Sequence, residues 1–83
     1  MSLAQKLTVA VNAAEAAPYP CACEVTVTGL LLRGWSPSTA VRPQRTITYS
    51  ALESMTDAAI NQTVADIMTD LSEAPGGRGL LAG

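Results

Sequence analysis

Apolar positions along this chain recur at two spacings, and each spacing predicts an element. Leu3, Leu7, Ala10, Val11, Ala14 and Ala17 return at helical intervals, with Gln5, Thr8, Asn12 and Glu15 opposite them. Ser2-Leu3-Ala4-Gln5 has the form of a capping box, in which a Ser hydroxyl and a Gln side chain satisfy backbone N–H groups at a helix start. Pro18 ends the pattern. Leu7, Val9 and Val11 also alternate, which is the strand alternative; the Ala-rich second half favours the helix.

Cys21 to Leu32 reads as one strand. Cys21, Cys23, Val25, Val27 and Leu31 share its buried face, and Glu24, Thr26 and Thr28 take the other. Gly29 marks a bulge or a close backbone approach. Leu30-Leu31-Leu32 then covers both faces, as in a central strand or one covered by another chain. Gly34 to Pro43 is a loop carrying Trp35 and Arg42. Gln44 to Tyr49 is a second strand, with Ile47 and Tyr49 inward, and it pairs with the first as an antiparallel hairpin.

Ser50-Ala51-Leu52-Glu53 repeats the capping-box form and opens a long helix from about Ala51 to Ser72, ended by Pro75 and Gly76. Thr56, Ile60, Thr63, Val64, Ile67 and Leu71 form its apolar stripe. The predicted fold is therefore a small α+β domain over residues 1–75: a β-hairpin packed on a long C-terminal helix, with an N-terminal helix beside it. If residues 7–11 pair as a strand, the sheet becomes three-stranded and antiparallel. Residues 76–83 form a Gly-rich tail.

Composition changes what this core is worth. The 83 residues are 48% apolar, but alanine is the commonest residue, Phe is absent, and the aromatics are Tyr19, Trp35 and Tyr49. Stabilisation scales with buried area, to which alanine adds little. A chain this short recruits disulfides, a metal or a partner subunit. A bridge between Cys21 and Cys23 would close a small, strained loop. With no His and no further Cys, one chain offers half a zinc site, which only a second copy could complete. The pair reads as two reduced thiols acting as small hydrophobes, with a redox role as the alternative. No cofactor or metal is expected, and a protein partner is the leading expectation.

Charge narrows the function classes. The net charge is −2, and Arg33, Arg42 and Arg45 are the only cationic cluster, too few to track a phosphate backbone. Without His there is no ready general base near neutral pH, so no catalysis is expected. No signal peptide or membrane span is visible, and the expected setting is cytoplasm or virion.

Three features are candidate contacts. Ser54, Ala58, Asn61, Ala65, Thr69 and Ser72 form a narrow, uncharged, small-residue sector on the long helix. It is either a close-packing surface or a weakly polar solvated face. Trp35 and Arg42 are hot-spot residue types on a Pro-bearing loop, for a partner, as a lid on the core, or against nucleic acid. Leu80 and Leu81 lie beyond a Gly-Gly-Arg-Gly stretch, as a small anchor for a neighbour or a disordered end. Together they predict a non-enzymatic structural subunit that self-associates or joins a larger assembly, such as a bacteriophage virion or capsid accessory protein. The competitors are an acidic inhibitor or adaptor working through Asp66, Asp70 and Glu73, and, more weakly, a nucleic-acid module.

Overall fold

A computed structural model describes residues 2–73. Its first element, α1 (Leu3–Ala16), is the helix that the capping box predicts: Ser2 Oγ accepts from Gln5 N at 3.2 Å, and Gln5 Oε1 accepts from Ser2 N at 2.9 Å. Three strands follow, β1 (Cys21–Val25), β2 (Gly29–Gly34) and β3 (Gln44–Thr48), then two helices, α2 (Tyr49–Ser54) and α3 (Asp57–Glu73). The sheet is antiparallel in the order β1-β2-β3. It has three strands because the expected strand Cys21–Leu32 is two strands, and residues 7–11 stay helical.

The split comes from chemistry at Thr26. Its hydroxyl donates to Gly29 O at 2.8 Å and accepts from Gly29 N at 3.2 Å, which closes a turn without Pro or Asn. Gly29 is required by close approach rather than by a bulge: a Cβ there would meet Ile47 O at 2.2 Å. The turn also shifts the alternation. Leu30 and Leu32 face the core, Leu31 lies on the opposite face half-buried, and Val27 stands at the hairpin tip, 99% exposed. The expected inward positions of Val25, which is 68% exposed, and of Val27 and Leu31 are thus corrected.

The second correction concerns the long helix. Thr48, not Ser50, caps α2, its side chain accepting from Ala51 N, and Tyr49 belongs to the helix rather than the strand. The helix then stops at Met55. Thr56 starts α3 as its cap, with Oγ1 accepting from Ala59 N at 3.1 Å. Thr56 therefore serves the backbone rather than the apolar stripe. Asp57 follows in the first turn, where a carboxylate suits the helix dipole.

Helices α1 and α3 cover one face of the sheet. Ala10, Leu30, Leu32, Ile47, Leu52, Ile60, Val64, Ile67, Met68 and Leu71 form the core between the layers. On the other face of the sheet Ala22, Glu24, Arg33, Gln44 and Thr46 are exposed, and no helix among the described residues covers it. Gly34 lets α3 sit close, since a Cβ there would meet Ile67 Cγ2 at 2.5 Å. Lys6 is buried at 6% exposure, and its ammonium donates to the Met55 carbonyl and lies 3.7 Å from Asp57 Oδ1. The start of α1 is thereby pinned to the bend between α2 and α3. Tyr49 Oη donates to Thr26 O, which ties the hairpin turn to α2.

Two pairs of substitutions test these contacts through stability. Lys6→Met keeps the stem but removes the ammonium, and it should cost about 1–3 kcal/mol in urea unfolding. Asp57→Asn, at a half-exposed partner, should cost under about 1 kcal/mol. Gly34→Ala presses on movable side-chain ends and should cost about 1–3 kcal/mol. Gly29→Ala presses on the fixed backbone of β3 and should cost more, as read by the same unfolding midpoint.

Candidate protein interface

The loop between β2 and β3 is held by its own polar groups. Gly34 N donates to Pro43 O at 2.9 Å across its base, and Trp35 N donates to Pro20 O at 3.0 Å. Ser36 and Thr39 are buried. Ser36 Oγ accepts from Ser38 N at 3.3 Å, and Thr39 Oγ1 accepts from Val41 N at 3.2 Å. Arg42 Nη1 donates to Thr39 O at 2.6 Å and Val41 O at 2.9 Å, while its guanidinium carbon lies 5.6 Å from the Trp35 ring centroid. Trp35 stands outside the core cluster at 44% exposure, and Val41 is exposed on the same loop. The arrangement presents a partly exposed indole from a loop tied together by several of its own hydrogen bonds. Arg42, read from the sequence as a contact residue, here organises the loop and backs the ring.

The small-residue sector is not one surface. Ser54 falls in α2, on the far side of the bend, so it does not share a helix with the others. Ala58, Asn61, Ala65 and Thr69 are exposed along α3, and Ser72 is half-buried. Thr69 Oγ1 donates to Ala65 O, and Ser72 Oγ donates to Thr69 O, so these hydroxyls are spent on their own helix. Asn61 and Ala65 also form a wall of a groove of about 270 Å³ between α1 and α3. Its opposite wall is Ala13, Ala16, Ala17 and Pro18, and Val64 and Met68 complete it. Among the described residues no charged side chain lines it. The sequence reading did not bring the α1 wall into play, because only the packing of α1 along α3 sets these alanines beside Ala65. Leu80 and Leu81, the third expected contact, lie outside the described residues.

The remaining chemistry is largely committed. Arg45 Nη2 meets Asp70 Oδ2 at 2.7 Å, and Asp66 accepts from Gln62 at 2.9 Å. Cys21 and Cys23 are free and half-buried. Burial pushes both thiols up, and for Cys23 the neighbouring Cys21 and Glu15 add to the effect. Both are therefore held further toward the protonated form, which lowers their strength as nucleophiles and metal ligands. Among the described residues no three His, Cys, Asp or Glu side chains come together as a metal site. No helix there is long and apolar enough to cross a membrane.

Arg42→Ala should release the loop without unfolding the domain. The expected result is a red-shifted Trp35 emission with an unchanged far-ultraviolet helix signal. An unshifted spectrum would mean that the guanidinium does not hold the ring.

Comparison of the chain with protein-family models, with curated proteins and with solved structures returned no match.

Proposed function

We propose that this chain is a non-enzymatic structural subunit that acts by associating with further copies of itself within a larger assembly. The observation that carries this reading is the internally hydrogen-bonded loop on which Trp35 stays 44% exposed. Ordering a contact loop costs entropy on binding, and a loop already ordered by its own hydrogen bonds loses little more. Trp is also the side chain that most often supplies a binding hot spot.

The placement of the other exposed apolar groups supports repetition. Val25 and Val27 stand at the hairpin end of the sheet, at 68% and 99% exposure, whereas Trp35 follows Gly34 at the other end. Two different apolar points at opposite ends allow a head-to-tail contact, which builds rings or filaments. An accessory protein of a bacteriophage particle fits that mode of action. The acidic-adaptor reading draws less support, since Asp70 and Asp66 are already engaged. The nucleic-acid reading loses Arg45 to Asp70 and Arg42 to its loop.

Light scattering across a concentration series tests the proposal. The expected result is a mass that rises above the monomer, with Trp35 emission moving to the blue as it does. Trp35→Ala should shift the population toward monomer by at least about tenfold in dissociation constant, the scale of one hot-spot side chain. A monomer at every concentration would overturn self-association.

A further inference from the structure

We infer that the groove between α1 and α3 is the docking site of the chain's own segment Ala74–Gly83, filled by Leu80 and Leu81. The groove is apolar, uncharged and about 270 Å³ in volume, enough for two branched aliphatic side chains. Its alanine walls leave that space open, and an unfilled apolar groove forfeits dispersion contacts on its lining.

The position of the segment singles it out. It begins directly after Glu73, and Met68 in the groove stands only five residues earlier, about 7–8 Å back along the helix axis. Ser72, one turn beyond Met68, lies on the same flank of α3. The chain must reverse to reach the groove, and Ala74-Pro75-Gly76-Gly77 has the form of a type II turn, with Pro at the second position and Gly at the third. Seven residues from Ala74 to Leu80 span at most about 25 Å, well beyond the distance required. Leu80 and Leu81 are the only large apolar side chains in the segment. The linkage is intramolecular, so the effective concentration of the leucines at the groove is high and a weak contact suffices. This goes beyond the self-association proposed above and assigns the leucines to their own chain rather than to a neighbour.

Methyl-resolved nuclear magnetic resonance of the full chain tests it. The expected result is Overhauser contacts from Leu80 and Leu81 methyls to Ala17, Ala65 and Met68, present at every dilution. The double variant Leu80→Ser with Leu81→Ser should shift only groove resonances and leave the helical signal intact. Ala65→Gln, at an exposed groove wall, should abolish the contacts while the domain stays folded. Leucine methyls without groove contacts would overturn the proposal. So would contacts that appear only between differently labelled chains in a mixed sample, which would place the tail in a second copy. Neither outcome bears on whether Trp35 mediates association, which light scattering reads separately.

Discussion

A buried ammonium has to be answered by the fold around it, and Lys6 sets that demand. Leaving such a group without partners costs several kilocalories per mole, so the position of α1 is tied to whatever supplies them. The partners are the Met55 carbonyl, freed because α2 ends there, and the Asp57 carboxylate, placed in the first turn of α3. One side chain thus couples three helices at one end. Farther along, a groove lined by Ala13, Ala16, Ala17, Pro18, Asn61, Val64, Ala65 and Met68 lies between α1 and α3.

The same logic of satisfied polar groups runs through the candidate interface. Gly34, Trp35, Ser38, Thr39, Val41 and Arg42 all place their donors within the loop or on Pro20. These bonds tie much of the loop together from within the chain, while its indole stays 44% exposed. A short domain in which alanine is the commonest residue and Phe is absent gains limited area from its own core, which gives added weight to contacts made elsewhere.

Much of the fold was legible from local pattern. The Ser2–Gln5 box, the helical recurrence through Ala14, the second strand around Ile47 and the stripe Ile60-Val64-Ile67-Leu71 all depend on neighbours within a few residues. The misreadings were places where two local signals competed. Val25-x-Val27 looked like continued alternation, yet the Thr26 hydroxyl and the absent Cβ of Gly29 make a turn. Ser50-x-x-Glu53 looked like a cap, yet Thr48 lies earlier and takes the role, and Thr56 caps a second helix inside what read as one. Of the candidate contacts, Trp35 was legible as a residue type on a loop. The groove was not, because its walls come from segments some fifty residues apart.

By itself the sequence determined the α+β class, the capped start of α1, the loop that carries Trp35 and the low net charge. These follow from periodicity, capping chemistry and composition, which act over short distances or over the whole chain. Only the tertiary structure decided that Lys6 is buried, that Arg42 serves its own loop, that Ser54 is separated from the Ala58–Ser72 flank and that Ala17 faces Met68. Each of these depends on which distant group fills a given volume or answers a given hydrogen bond, and no local pattern encodes that.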